Sequence, residues 1–339
     1  MKVAVIGVGK MGLLHTGIMN ALEGIELVGI CDSSKFLLGL AKNMISASTH
    51  VDHNEMLDKV FPDAVIIATP VFLHIPMALD CANRGIPFFL EKPLSITSSD
   101  AEGLVEVINQ KNLTTMTGYM MRYVDTFQKA KSILDSGVLG EIINFNSSIY
   151  VEQLFKPGKG WRYEKERAGG GVVIGQATHL IDLLHWYFGK VEHVTGHTRN
   201  WYSQNVEDFA HAHFEFSSGV TGWMDSSWSV RHHRLLEISI RINAVNGTLE
   251  VSDDAVNLYL DSTSNGHNIG WTKYLKPDLF EGVEFDVGGP QYTKQDQAFL
   301  NAIQTGEKVE SDVQNAYEIQ KIVDAIYYSA ERKGQPVEL

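Results

Sequence analysis

Short apolar runs alternate with runs of helical period over the first 120 residues. The apolar runs fall at 2–6, 26–31, 64–68, 86–90 and 114–118, and helical periodicity at 11–22, 73–84 and 99–110. Alternation of this kind predicts parallel strands joined by crossover helices. The strands are apolar throughout, as expected where helices cover both faces of a sheet. Ser98 or Ser99 is placed to cap the third helix, with Glu102 in its first turn. After Arg122 the pattern changes. One helix fits 126–136 and ends at Gly137. Then come segments of alternating character at 142–151, 191–201, 209–216, 220–228 and 235–244. Ser217-Ser218-Gly219 and Asn246-Gly247 read as hairpin turns. These segments predict an antiparallel sheet, with a helix at 176–188 and two closing helices at 291–306 and 315–333. Residues 262–270 are polar and predict a loop.

Length and composition narrow the class. The chain has 339 residues, which suggests about two domains. With 44% apolar and 20% charged residues, it reads as globular, not disordered or fibrous. The net charge of −13 disfavours nucleic acid and anionic membrane surfaces as partners. The N-terminal run MKVAVIGVG is broken by glycines and Lys10, and lacks the longer apolar core of a signal peptide. Cys31 and Cys81 belong to no metal or redox spacing and read as reduced core residues. Together these features predict a cytoplasmic protein without a bound metal.

Gly7-Val8-Gly9-Lys10-Met11-Gly12 is a GxGxxG between the first strand and first helix, the context that gives the motif its meaning. The first glycine permits the tight turn, the second lets a pyrophosphate approach, and the third allows close helix–strand packing. Asp32 stands 20 residues after Gly12, at the end of the second strand. There a carboxylate accepts bonds from ribose hydroxyls; the plainer alternative is an aspartate of a turn. Ser33, Ser34 and Lys35 follow, with no arginine to offset a 2′-phosphate, so NAD is favoured over NADP.

Hydride transfer at a carbinol carbon also needs a group that handles the hydroxyl proton. Glu91-Lys92-Pro93 follows an apolar strand, where strand ends face the ligand crevice. Gly169-Gly170-Gly171, which lets backbone pass close to a ligand, precedes Gln176, His179 and Asp182. Taken singly, Lys92 is equally a solvated lysine and His179 a helix-terminal histidine.

As an ordered set, these motifs resemble the glucose–fructose oxidoreductase, inositol 2-dehydrogenase and MocA family along essentially the whole chain. The set is the glycine motif, Ala68-Thr69-Pro70 with His74, Glu91-Lys92-Pro93-Leu94, Arg122-Tyr123, Trp161-Arg162, the glycine triplet, and His179 with Asp182. The resemblance implies an α/β protein. Residues 1–120 form a Rossmann NAD(P)-binding domain. Residues 121–339 form a substrate-binding α/β domain with a large, mainly antiparallel open sheet, and the C-terminal helices can pack back on the first domain. It implies a homodimer or homotetramer through that sheet, and an NAD(P)-dependent oxidoreductase acting on a sugar, cyclitol or related polyol. Carried over by motif, Lys92 and His179 are the catalytic pair. Gly7, Gly9, Lys10, Met11, Gly12, Asp32, Ser33, Thr69, Pro70, His74, Glu91 and Lys92 hold the cofactor. Arg122, Tyr123, Trp161, Arg162 and Gln176 join Lys92 and His179 at the substrate.

One position departs from the family pattern. An aspartate commonly stands four residues before the histidine, and here that residue is Gly175. The departure keeps two other readings open: a nucleotide-binding sensor or scaffold without turnover, or an enzyme that recycles tightly bound NAD internally, as an epimerase or glycosidase does. His211 and His213 share a strand face but lack an evident third metal ligand. Arg231, His232, His233 and Arg234 form a local basic cluster.

Overall fold

A computed structural model describes residues 1–42, 45–264 and 266–339. The chain divides into two compact units, Met1–Met120 with Gly282–Glu318, and Met121–Glu281 with Ile319–Leu339.

The first unit contains β1 (Lys2–Ile6), β2 (Glu26–Cys31), β3 (Ser48–His50), β4 (Ala64–Ile67), β5 (Phe88–Leu90) and β6 (Thr115–Thr117). Their order is β3-β2-β1-β4-β5-β6, and every pairing is parallel. The order reverses between β1 and β4, the switch point where doubly wound sheets bind ligands beyond their strand ends. Helices α1 (Lys10–Ala21), α2 (Lys35–Lys42), α3 (His53–Val60), α4 (His74–Asn83) and α5 (Ser98–Lys111) connect the strands. Val3, Val5, Ile66 and Phe89 have no exposed surface, which explains the unbroken apolar runs.

β3, α2 and α3 are additions to the sequence expectation. β3 is only Ser-Thr-His at the sheet edge, too short and polar to show a strand pattern. The cap of α5 is Thr97, not Ser98 or Ser99. The Asp100 carboxylate accepts from the Thr97 N–H at 3.0 Å and its hydroxyl at 2.8 Å, so Asp100 is the first-turn acid, not Glu102.

The second unit carries a nine-stranded sheet: β7 (Ile142–Tyr150), β8 (Val191–Arg199), β9 (Phe209–Phe216), β10 (Thr221–Ser227), β11 (Glu237–Ala244), β12 (Gly247–Ser252), β13 (Ala255–Leu260), β14 (Gly270–Leu275) and β15 (Val337–Glu338). The order is β14-β13-β12-β11-β7-β10-β9-β8-β15. The β7–β10 pair is parallel and the other pairs are antiparallel. Ala244 pairs with Gly247, so the two-residue turn that sets the register is Val245-Asn246, one residue earlier than the expected Asn246-Gly247, and Gly247 opens β12. β12, β13 and β14 extend the sheet beyond the strands expected from sequence; the loop expected at 262–270 includes Asn265, which lies outside the described residues. Helices α6 (Asp125–Asp135), α7 (Lys165–Ala168), α8 (Thr178–Phe188) and α9 (Lys276–Leu279) belong to this unit. Phe188 of α8 stacks on Phe145 of β7 at 5.1 Å, beside Phe216 of β9. The opposite sheet face leaves Trp223 and Trp271 more than half exposed.

α10 (Pro290–Thr305) packs on α1 in the first unit. α11 (Val313–Glu331) supplies residues 319–331 to the second. Among the described residues no helix is long and apolar enough to cross a membrane.

Candidate active site

The glycine-rich turn explains itself atom by atom. Gly7 takes φ +91°, and a β-carbon there would stand 2.6 Å from the Ala68 carbonyl oxygen. At Gly12 a β-carbon would stand 1.8 Å from the Gly7 carbonyl oxygen. At Gly9 it would meet nothing within 4 Å. Two glycines are therefore required by packing, and the third borders open space. Gly9 is also the N-cap of α1 and offers no side-chain cap, so the first-turn N–H groups remain for an anion. Lys10 is exposed and Met11 half-buried at this turn.

Asp32 faces the same turn. Its Oδ2 accepts from the Val8 N–H and its Oδ1 from the Ser34 N–H, both at 2.8 Å. Ser33, just past the end of β2, is exposed. Beyond β4, Thr69 and Pro70 lead into α4, and the Thr69 hydroxyl is buried with no partner among the described residues. His74 lies between two carbonyls, Pro93 O at 2.8 Å from Nδ1 and Thr69 O at 2.9 Å from Nε2. Burial pushes its pKa down, against the pull of those carbonyls. His74 thus joins the Thr69 turn to the Lys92–Pro93 turn, whose peptide bond is cis. Beyond β5, the Glu91 carboxylate accepts from the Lys92 N–H at 3.2 Å. The candidate cofactor residues therefore collect beyond the ends of β1, β2, β4 and β5. An open cradle at Gly9, uncapped amides, the Asp32 carboxylate at the end of β2 and a Thr69 hydroxyl without a partner among the described residues fit NAD.

The second unit holds His179 in the first turn of α8, 3% exposed. Residues Val173–Ala177 before it form a π-helical turn, a rare conformation that often marks functional sites. Glu207 holds this turn from a distance. Its carboxylate accepts from the Gly171 N–H at 2.8 Å, the Val173 N–H at 3.0 Å and the Tyr327 hydroxyl at 2.8 Å. Burial pushes the Glu207 pKa up, while these donors pull it down. The glycine triplet was expected to bring backbone near a ligand. Gly170 and Gly171 instead make room for the protein itself: a β-carbon would stand 2.0 Å from Tyr327 Oη and 1.8 Å from Glu207 O, respectively.

Arg122 and Asp182 form a buried bidentate pair, with Nε to Oδ2 at 2.8 Å and Nη2 to Oδ1 at 2.6 Å. The Arg122 charge is thus matched by Asp182 within the unit. Arg122 also lies 5.4 Å from the Trp186 ring centroid. Tyr123, Trp161 and Gln176 are half-buried, and Arg162 is exposed with its guanidinium 4.6 Å from the Trp161 ring centroid. In the basic cluster, the His232 N–H donates to Glu152, His233 pairs with Glu237, and Arg231 stacks over Phe155. His211 bonds Asp225. Among the described residues no group of three or more His, Cys, Asp or Glu is arranged to hold a metal.

Residues 1–119 match the oxidoreductase family with an NAD-binding Rossmann fold, and residues 127–250 match the GFO/IDH/MocA C-terminal domain. The chain belongs to the GFO/IDH/MocA family. Within that family, D-glucoside 3-dehydrogenase of Escherichia coli (strain K12) is 25% identical over 100% of this chain and 97% of its own length. 2,7-Anhydro-N-acetylneuraminate hydratase of Mediterraneibacter gnavus is 23% identical over 91% of this chain and 87% of its own length. Among solved structures, levoglucosan dehydrogenase in complex with NADH shares the fold, with a TM-score of 0.87 at 22% identity, covering 100% of this chain and 98% of that one.

The GFO/IDH/MocA pattern makes Gly175 the position of interest. A β-carbon at Gly175 would stand 2.8 Å from Cζ2 of Trp228. Trp228 is 4% exposed, and the Tyr163 ring packs edge-on to its indole at 6.0 Å. The space that a side chain at 175 requires is therefore filled by an indole from the end of β10. Trp228 and Tyr327 belong to none of the sequence motifs. Glu207, His15 and Asp296 gave no local signal at all, because their partners lie tens to hundreds of residues away.

Proposed function

We propose that this family member is an NAD-dependent dehydrogenase or reductase of a CH–OH group in a sugar, cyclitol or related polyol. The observation that carries the reading is the open Gly9 cradle in the same unit as the Glu91-Lys92 turn. NAD, when bound, supplies the hydride acceptor. The α1 amides cradle its pyrophosphate, and Asp32 accepts from the ribose hydroxyls. The Asp32 carboxylate repels a 2′-phosphate, with only Lys35 nearby in sequence to offset it, so NADP is the poorer cofactor. Lys92 and His179 handle the hydroxyl proton. Tyr123, Trp161, Arg162 and Gln176 orient the polyol, and Arg122 acts there as the partner that holds Asp182. The relatives named D-glucoside 3-dehydrogenase and scyllo-inositol 2-dehydrogenase support this substrate class.

We assign residues 1–120 to cofactor binding and residues 121–339 to substrate binding and assembly. The half-exposed Trp223 and Trp271 on the open sheet face support a homodimer or homotetramer formed there. Light scattering of the purified protein tests this; a monomer at micromolar concentration contradicts it. Cys31 and Cys81 are buried free thiols, pushed up to about 12 by burial, which suits a reducing cytoplasm.

Mixing protein and NAD with levoglucosan, myo-inositol, scyllo-inositol and methyl glucosides tests the function through nicotinamide absorbance. At least one polyol should reduce NAD. Gly175 and the hydratase relative support a second reading, an enzyme that binds NAD tightly and returns the hydride within one turnover. That reading predicts NAD carried through purification and turnover without added cofactor.

A further inference from the structure

His15 stands three residues after the last glycine of the cofactor turn, on the buried side of α1. Its Nε2 lies 3.0 Å from Glu91 Oε1, and its Nδ1 lies 2.8 Å from Asp296 Oδ2. The His15 and Asp296 side chains have no exposed surface, and that of Glu91 is 10% exposed. Phe89 packs on the imidazole at 5.0 Å and Phe299 packs on Phe89, so the cluster is walled by aromatic rings.

The geometry dictates the charge. An ionised carboxylate only accepts hydrogen bonds, and a neutral imidazole has a single N–H. With Glu91 and Asp296 ionised, both ring nitrogens donate and His15 is an imidazolium; burial pushes the Asp296 carboxyl up, and the His15 charge and hydrogen bond pull it back down. Burial opposes this charge, but Asp296 and Glu91 outweigh burial and raise the His15 pKa to about 10. Tyr292, on the first turn of α10, is pushed up to about 12 by burial and the Glu91 charge, so it stays neutral beside the cluster. The other Glu91 oxygen accepts from the Lys92 N–H. Gly118 leaves room for that carboxyl; a β-carbon there would stand 3.1 Å from it.

We propose that His15, Glu91 and Asp296 form a charged positioning clamp that fixes the Lys92 turn to the cofactor helix α1 and to α10. Three segments far apart in sequence meet at one imidazolium. α1 begins at the dinucleotide cradle, the Glu91 turn carries Lys92, and α10 supplies the second anion. A buried ion pair broken on one side is costly, so the clamp holds one geometry and resists slack. His15 and Asp296 are positioning residues: they act on Lys92 through Glu91 and the Lys92 backbone.

The proposal rests on Lys92 as a proton-handling residue, and the experiment separates the two claims. Nitrogen-15 histidine NMR of the wild-type protein at about pH 8 reads the His15 ring without any substrate. The clamp requires both His15 nitrogens protonated, and a neutral, singly protonated ring overturns it. The resonance is assigned by its loss in His15→Gln. Asp296→Asn is then combined with Lys92→Ala in a double-mutant cycle, using NAD and the polyol with highest turnover. Asp296→Asn should lower kcat about tenfold with NADH affinity within about threefold, and should add nothing in the Lys92→Ala background. A role confined to packing costs the same in both backgrounds, and that result overturns the clamp. If Lys92→Ala turns over like wild type, the Lys92 assignment fails, and the NMR result still decides whether the clamp is charged.

Discussion

The two units hold their chemistry by different means. In the first, the cofactor turn is supported by neighbours: Gly12 packs on Gly7, and Asp32 reaches Val8 at 2.8 Å. In the second, the turn before His179 is held by groups far along the chain, with Glu207 at Gly171 and Val173, Tyr327 at Glu207, and Trp228 against Gly175. A compact motif can be read from six residues. A turn held by a remote carboxylate cannot, even when its function is as demanding. The first unit is not wholly local, because Asp296 reaches His15 from α10.

The largest stability effect should fall in the second unit. Asp182→Asn leaves the Arg122 guanidinium buried without its anion, which costs about 3–5 kcal/mol. Denaturant unfolding followed by a probe in that unit measures it, and a loss under about 1 kcal/mol removes the pair from its structural role. Next comes the cofactor turn. Asp32→Ala removes a charge-assisted acceptor, worth about 1.5–3 kcal/mol or roughly 10- to 100-fold in NAD affinity by calorimetry. Unchanged NAD affinity shows that Asp32 serves the turn alone. Gly175→Asp forces a side chain into the Trp228 indole, costing about 1–3 kcal/mol. The cost should shrink in the Trp228→Ala background, and additive costs would show that the indole is not the obstacle.

These contrasts explain what sequence could supply. β1, β2 and β9 match their apolar or alternating runs end to end, because each is a regular element with a clear burial pattern. β3 did not show, since three polar residues at an edge carry no periodicity. The positions of Lys92 and His179 were legible through their motifs. Their supports were not, because Glu207, Trp228 and Asp296 become neighbours only after folding. The Arg122–Asp182 pair was not legible either, because its members stand 60 residues apart.

The smallest effect near neutrality is a pH slope in the first unit. His15 has a raised folded pKa, so its stabilisation is complete below about 6.5 and lost as pH rises toward about 10. Amide exchange in α1, corrected for intrinsic rates, should accelerate over that window. A flat profile contradicts a charged His15.

The central claim is that Lys92 handles the hydroxyl proton in an NAD-dependent reaction on a polyol. Comparing Lys92→Ala with wild type, at saturating NAD and polyol, tests it most directly. The account predicts a fall in kcat of about two to four orders of magnitude with NADH still bound. Turnover within about threefold of wild type, in a variant that binds NADH normally, would contradict it.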